Sequence, residues 1–579
     1  MKPSVINIIT FAVISGLQSQ GTTEAALFSN LGPCPPLPDF PPTSTYTLRP
    51  FKTYSSDVVI PFSYFSSPRD ASEVLSLVNW AKNAGYRVRG VGQMHSWSPV
   101  TLSKYEEGTL CPKFLLVDTT KYLTGIKVTT DFNTSLHSVT LGPGVTLRRL
   151  LETLESHQLG IFSSPAQGDL SVGGMLAVGA HGSGIKTTTH SKSLGHSYGT
   201  FSNLVLEMDV IGWDNDTEKY VVKTLPRSHP DTKAFLVNLG RTFVTRVKIR
   251  VGADQMLRSQ SFFTTVRQLF GRGDLVRDGD KPNLADYLDS FGRIQVLSLE
   301  TGSDSGVLLF GWHSEPEKPA GSRLTKTPYN YIFGNYLPGN KILKWLLARI
   351  PHIWRFFARL SFPINIAVSS LAGYQDYWGL SKNHLLYNSK YVPIIRPNSF
   401  VLVTSRQNFQ TVVSIIRKGY DDLASEWHSR GEYPDAGSFD IRVCGVEDPE
   451  NILAQGAEPP IFSPAKPVPS HPEYDIVIWF EFGTYPETRK AQEFVADWQS
   501  LLYRDIHHVY GVLRVEWAKG WGHTWEKAWS NETIFDTLPR VLSSSDELKE
   551  WNLGVEILDR YDPWRIFSNG FLDRILIKA

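Results

Sequence analysis

Cysteine is scarce, with 3 in 579 residues. That excludes a disulfide-scaffolded fold and any multi-cysteine zinc array. Net charge is nearly absent as well: 58 Lys+Arg stand against 57 Asp+Glu. No overall field therefore draws the chain to nucleic acid or another acidic polymer. Beyond the N-terminus no apolar run reaches the ~18 residues that a membrane-crossing helix needs, and no short internal repeat is visible. What the chain does have is length, enough for two to four domains at roughly 100–200 residues each. Hydrophobic residues make up 41% and charged residues 20%, which predicts a large core. Aromatics are plentiful at 12%, with 16 Trp and 23 Tyr. They suit a large apolar pocket as well as plain core packing.

The first residues, MKPSVINIITFAVISGLQSQG, carry Lys2 ahead of a short apolar stretch from Val5 to Leu17. This resembles a secretory signal peptide, taken as residues 1–21. Sequons at Asn133, Asn215 and Asn531 agree with a secreted, glycosylated chain. An oxidising compartment permits one disulfide among Cys34, Cys111 and Cys444; three pairings exist, and Cys34–Cys111 is the first choice.

Residues 22–52 are rich in Pro and Thr and read as an extended leader. Ser67-Pro68-Arg69-Asp70 then looks like a helix start, with Ser67 as cap and Gly85 as stop. A strand is expected at Arg87–Val91, followed by the loop GQMHSWSP. Strand Ser138–Leu141, the turn Gly142-Pro143-Gly144 and a helix from Thr146 to Gly160 form a second unit. Strand-like runs follow at 204–211, 244–251, 293–299, 307–312, 400–404, 439–443 and 475–482. One segment stands apart. Residues 341–360 interleave Lys341, Lys344, Arg349, Arg355 and Arg359 with Leu, Ile, Trp and Phe, and no acid occurs between Glu317 and Asp376. That basic, aromatic, amphipathic pattern suits either contact with a membrane surface or a helix pair packed on the core.

Two glycine-rich loops carry the chemistry. The first is Gly90-x-Gly92-x-x-His95-Ser96-Trp97. Its glycines permit tight turns and close approach to a phosphate, but a His replaces the third Gly of a Rossmann fingerprint. The second runs from Pro165-Ala166 through Ser171-Val172-Gly173-Gly174 to His181-Gly182-Ser183-Gly184. Two such loops in strand–helix settings suit a long dinucleotide such as FAD. Gly195-His196-Ser197-Tyr198-Gly199 fits a hydrolase nucleophile elbow, but lacks the strand before and the helix after. His95, His181 and His196 lack metal-ligand spacing, so no metal is expected.

Together the loops resemble the FAD-binding domain of the vanillyl-alcohol oxidase (PCMH-type) superfamily. Gly240-Arg241-Thr242-Phe243-Val244, Phe439-Asp440-Ile441-Arg442-Val443, Arg514-Val515-Glu516-Trp517-Ala518-Lys519 and Asp562-Pro563-Trp564 look most like its type II cholesterol oxidases, with aldonolactone oxidases as relatives. The resemblance implies an α+β, two-domain fold. A PCMH-type FAD-binding domain would span residues 53–255 and a substrate-binding domain over the flavin 256–525, with 526–579 returning to the first. It implies FAD, covalently attached through His95. It also implies cofactor contacts at Arg89, Gly90, Val91, Gly92, Gln93, Met94, Ser96, Gly144, Pro165, Ala166, Asp169, Ser171, Val172, Gly173, Gly174, His181, Gly182, Ser183 and Val244.

Residues two apart on a strand share a face, so Asp440 and Arg442 can point at one pocket. The family usually has Glu at 440; Asp draws the carboxylate back by ~1.5 Å. The implied reaction oxidises an alcohol to a carbonyl by hydride transfer to flavin, with a sterol as leading substrate and O2 as acceptor. Asp440 is the candidate base, Arg442 its orienting partner, Lys519 a cation near the flavin and Glu516 a second carboxylate. A sugar polyol or aldonolactone is the alternative substrate, and an inactive lipid-binding flavoprotein a third reading.

Overall fold

The computed structural model describes residues 34–578 except 55, 108, 132–134, 188–193, 272–280, 329–348, 351, 372, 387–394 and 538–544. The expected signal peptide, the Asn133 sequon and residues 341–348 lie outside the described residues. Three sheets organise the described residues. The first has four strands: β1 (Tyr46–Lys52), β2 (Val59–Ser66), β3 (Arg87–Val91) and β4 (Phe114–Asp118), in the order β1-β2-β4-β3. Helix α1 (Ala71–Ala84) crosses between β2 and β3. Its cap is Asp70, which accepts from the amides of Ser72 and Glu73 at 2.9 and 3.0 Å, rather than the expected Ser67. Gly85, at φ 70°, stops it as expected.

Residues 34–52, expected to be an unpacked leader, are packed. Proline lacks an amide donor but keeps its carbonyl, and neighbouring side chains use those carbonyls. The Tyr64 hydroxyl donates to Pro35 O at 2.6 Å and Trp80 Nε1 to Pro38 O at 2.8 Å. Phe40 meets Tyr46 and Trp80 edge-on, both at 5.0 Å. A Cys34–Cys111 disulfide ties this edge to the segment before β4, and Cys444 is free and buried.

The second sheet contains β5 (Ile126–Asp131), β6 (Leu136–Leu141), β7 (Leu159–Gly160), β8 (Val205–Asp214), β9 (Lys219–Pro226) and β10 (Phe243–Ala253). Helix α2 (Leu147–Ser156) is capped by Thr146, as expected. It ends four residues before the expected stop at Gly160, because Leu159 and Gly160 pair with β10. A short helix α3 (Val172–Val178) follows the second glycine loop. Ser197, in the elbow-like motif, is buried in a loop and accepts from Asn203 at 2.7 Å.

The third sheet has nine strands: β11 (Met256–Thr265), β12 (Arg293–Ser298), β13 (Gly306–Ser314), β14 (Arg323–Leu324), β15 (Asp376–Leu380), β16 (Arg396–Thr404), β17 (Gly437–Gly445), β18 (Ile476–Thr484) and β19 (Gly511–Val515). Helix α4 (Ile353–Leu371) precedes β15. Helices α5 (Phe409–Ser429) and α6 (Ala491–Asp505) cover one face of this sheet. Phe439, Ile441 and Val443 of β17 join Phe480 and Phe482 of β18 in that buried core. The strand pleat sends the alternate residues, Ser438, Asp440, Arg442 and Glu481, to the opposite face.

The chain then returns to the first two sheets through α7 (Ser545–Tyr561). Asp562 receives Arg241 and, at 2.6 Å, the Tyr220 hydroxyl. The Asn569 amide donates to the carbonyls of Pro99, Val100 and Thr101 at 3.0–3.2 Å.

Candidate active site

A cavity of about 460 Å³ lies between the glycine loops and the free face of the nine-stranded sheet. The loop after β3 forms one wall. Its direction is set by contacts with the segment after β19: the amides of Trp97 and Ser98 donate to Ala518 O at 2.9 and 3.2 Å. Trp97 Nε1 donates to Ile395 O at 3.0 Å. The same loop is pinned from behind by Arg89, whose buried guanidinium donates to the carbonyls of Val100, Leu239, Gly240 and Phe567. Arg89, expected to contact the cofactor, lines the cavity and also braces the loop against the returning C-terminal segment.

His95 projects from this loop. Its Nε2 lies 2.8 Å from Asp169 Oδ2, and its ring stacks on Tyr54 at 5.2 Å. The bond from His95 holds the Asp169 carboxyl below its ordinary range. The two glycine loops meet at Gly92: a Cβ there would fall 2.0 Å from Ser171 Oγ. A Cβ on Gly182 would fall 2.5 Å from Ser164 O. Backbone therefore lines the cavity where any side chain would close it. The hydroxyls of Ser164 and Ser183 face the same cavity, buried and without a partner among the described residues. A buried hydroxyl without a partner is costly. A backbone-lined groove with spare polar groups fits a phosphate-bearing dinucleotide.

Most of the expected cofactor residues line this cavity; Gly144, Asp169 and Val172 do not. Gly144 packs against the Thr119 carbonyl, Val172 is buried in the core, and Asp169 reaches the cavity only through His95.

The sheet face supplies the opposite wall. Here the structure brings together all four expected reactive residues, Asp440, Arg442, Glu516 and Lys519. Arg442 Nη2 is 3.2 Å and Gln295 Nε2 2.8 Å from Asp440 Oδ2, while Asp440 Oδ1 is buried with no partner among the described residues. Burial pushes the Asp440 carboxyl up, against the pull of Arg442. Lys519 binds Glu481 and stands 3.2 Å from Glu516. Burial disfavours its charge, but the two carboxylates outweigh that and raise it. Glu516 accepts from Ser399 Oγ at 2.5 Å and faces His181 Nε2 at 3.6 Å. Burial opposes its charge too, yet Lys519 and His181 hold Glu516 well below the carboxylate range. His181, stacked on Trp479 at 3.5 Å, is pushed down by burial.

Glu481, Gln295 and Ser399 were missed in the sequence. Glu481 left a signal, since it is the one acid in the apolar run IVIWFEFGT. Away from this cluster the sheet side of the cavity turns apolar, through Leu297, Phe310, Trp312, Leu386 and Ile395.

The family described as "Cholesterol oxidase, substrate-binding" matches residues 257–577. The chain belongs to this cholesterol oxidase family. An FAD binding domain matches residues 62–217. Among solved structures, a solvent-stable cholesterol oxidase is 31% identical, with a TM-score of 0.88, over 94% of this chain and 100% of that one. A cholesterol oxidase from B. sterolicum is 28% identical over the same shares, also with a TM-score of 0.88. A probable L-gulonolactone oxidase 4 of Arabidopsis thaliana is 35% identical over 119 residues, 20% of this chain and 19% of its own. A long-chain alcohol oxidase of an uncultured marine euryarchaeote is 24% identical over 238 residues, 40% of this chain and 41% of its own. The chain thus spans less than half the length of these curated relatives. The two glycine-rich loops fall within the match to the FAD binding domain and the charged wall within the match to the substrate-binding family.

Proposed function

We propose that this protein is a secreted FAD-dependent oxidoreductase that oxidises a bulky apolar alcohol, a sterol first of all, to its carbonyl, with O2 as final acceptor. The observation that carries the reading is Asp440 Oδ1. It is a buried carboxylate oxygen without a partner among the described residues, at the junction of a charged cluster and an apolar slot. A hydroxyl at the edge of an apolar skeleton complements both.

Bound FAD supplies the hydride acceptor. The protein's own residues do the rest. Gly92, Gly182, Ser164 and Ser183 leave the groove open and polar for the dinucleotide. Asp440, once ionised, accepts the substrate's hydroxyl proton. Arg442 and Gln295 hold its other oxygen, which fixes the direction of the free one. Lys519, kept charged by Glu481 and Glu516, presents a positive charge on the cavity wall. His95 is the residue proposed to bond FAD covalently: Asp169 occupies Nε2, which leaves Nδ1 as the reacting nitrogen.

Secretion is supported by the signal-like N-terminus, by the Cys34–Cys111 bridge and by the exposed sequon Asn215 in the turn between β8 and β9. Membrane contact is proposed through α4. Trp354 and Ala358 face the core, while Arg355, Phe356, Arg359 and Leu360 face outward.

The test is anaerobic mixing with cholesterol in detergent and, separately, with an aldonolactone and an alditol, while the oxidised flavin band is followed. Bleaching by cholesterol alone supports the sterol reading, and readmitted air tests oxygen as acceptor. Bleaching by the sugars alone overturns the substrate assignment. No bleaching by any of them favours the inactive lipid-binding reading.

A further inference from the structure

The cluster on the sheet face has an uneven charge count. Three carboxylates, Asp440, Glu481 and Glu516, touch two cations, Arg442 and Lys519. His181, the remaining ionisable neighbour among the described residues, is pushed towards neutrality by burial. With every carboxylate ionised the group carries one negative charge in excess. Burying an uncompensated charge is costly, and a single bound proton removes it.

The three carboxylates differ as sites for that proton. Glu516 is held ionised by Lys519, His181 and Ser399. Asp440 and Glu481 are directly opposed in the β17–β18 register, which brings their Cβ atoms to about 5 Å. Arg442 contacts both, at 3.2 Å and 3.8 Å. Around them stand Gln295 of β12 on the Asp440 side and Lys519, after β19, on the Glu481 side. Two carboxylates this near ionise as a coupled unit, not as two independent acids.

We propose that Asp440 and Glu481 form one proton-sharing pair across β17 and β18, and that this pair, rather than Asp440 alone, takes the substrate's hydroxyl proton. The inference rests on the alcohol-oxidation reading. In the resting pair one carboxyl holds a proton and the other is ionised. The substrate O–H bond breaks and a new O–H bond forms to Asp440 Oδ1, the pair's own proton then residing on Glu481. The carbinol hydrogen leaves with its bonding electron pair to FAD, so the two electrons go to the cofactor and the proton stays on the protein. Glu481 is a positioning residue here: it sets the affinity of Asp440 for the proton.

The experiment is an infrared pH titration of the FAD-loaded protein, labelled with carboxyl-¹³C aspartate in one sample and glutamate in another. It needs no substrate. In the wild type, an aspartate and a glutamate band are expected to change together in each titration step of the pair. In Glu481→Gln the aspartate step is expected to move down by about one pH unit, because a like charge has gone. Glu481→Asp, which keeps the charge, is expected to stay near the wild type. The acidic limb of substrate-driven flavin bleaching should follow the same shifts. An aspartate step that ignores Glu481→Gln, or a wild type in which aspartate titrates alone, overturns the proposal. If no alcohol bleaches the wild-type flavin, the functional reading fails while the infrared result still stands.

Discussion

His95 Nε2 and Asp169 Oδ2 stand 2.8 Å apart, joining the first glycine loop to the second. The pair joins two chain segments 74 residues apart in sequence. In the proposed attachment Asp169 would orient the imidazole and take its proton, which would make Nδ1 the nucleophile. Asp169→Asn keeps the shape but loses the acceptor charge. Covalent attachment is expected to slow roughly 10²–10⁴-fold, the usual span for a lost general base. Flavin retained in acid-precipitated protein measures it. A pellet as flavin-rich as the wild type's would show that Asp169 has no part in attachment, and a His95→Ala pellet should be colourless.

Gly182 tests the fit of the groove itself. A Cβ there would sit 2.5 Å from Ser164 O and 2.7 Å from Ser164 N, both backbone atoms that cannot swing away. Gly182→Ala is therefore expected to push the two loops apart. FAD content after gel filtration should fall sharply, while far-ultraviolet dichroism stays close to the wild type. Full flavin occupancy in the variant would mean that this loop does not shape the dinucleotide site.

Asp440 sets the acid side of the pH profile. Burial raises its carboxyl, so the ionised base is present only above the ordinary carboxylate range and is lost as pH falls through the raised value. The rate of flavin bleaching should accordingly fall on acidification with a limb above that range, about pH 4. Asp440→Asn should lower the rate roughly 10²–10⁴-fold and abolish the limb. An unchanged limb in that variant would assign it to another group.

Much of this arrangement was legible because it is local. Asp440 and Arg442 lie two residues apart on one strand, so their shared face follows from the pleat alone. Strand positions such as 293–299 and 439–443 followed from apolar runs bounded by turns, and β12 and β17 occupy them within a few residues. Glu481 was not legible in the same way. It stands alone in an apolar strand, and only the β17–β18 register puts it opposite Asp440; no residue in either strand announces that register. The packing of residues 34–52 was missed for a different reason. Proline was read for the extended backbone it favours, whereas Tyr64 and Trp80 use the carbonyls it keeps.

The Cys34–Cys111 bridge closes a loop with a sequence separation of 77. Chain-entropy reasoning gives a loop of that size about 4.5 kcal/mol, with measured bridges spanning roughly 2–5 kcal/mol. The bridge ties the Pro-rich edge to the segment before β4, so its loss should free that edge first. Cys111→Ser is expected to lower the thermal midpoint and to make residues 34–52 sensitive to protease, with the flavin spectrum preserved. Equal midpoints with and without reductant would show that the packed Pro carbonyls hold the edge unaided.

Helix α4 offers the last test. Trp354 and Ala358, four residues apart, fill the core beside Ala436 and Tyr485, and Trp354 Nε1 donates to Leu299 O at 3.0 Å. The opposite side carries Arg355 and Arg359 next to Phe356 and Leu360, which are 64% and 48% exposed. Arg359 reaches Glu300 only at 3.7 Å. Each basic residue near an anionic surface contributes about 1 kcal/mol. Arg355→Glu/Arg359→Glu should therefore weaken binding to anionic phospholipid vesicles by at least about 30-fold. Phe356→Ser/Leu360→Ser should weaken binding to neutral vesicles as well, since burial of the apolar pair does not depend on charge. Both variants should keep the wild-type rate on substrate in detergent, because α4 turns its core side, not this face, towards the sheet. Vesicle binding that ignores all four substitutions would return α4 to the role of a packed helix with a solvated basic face.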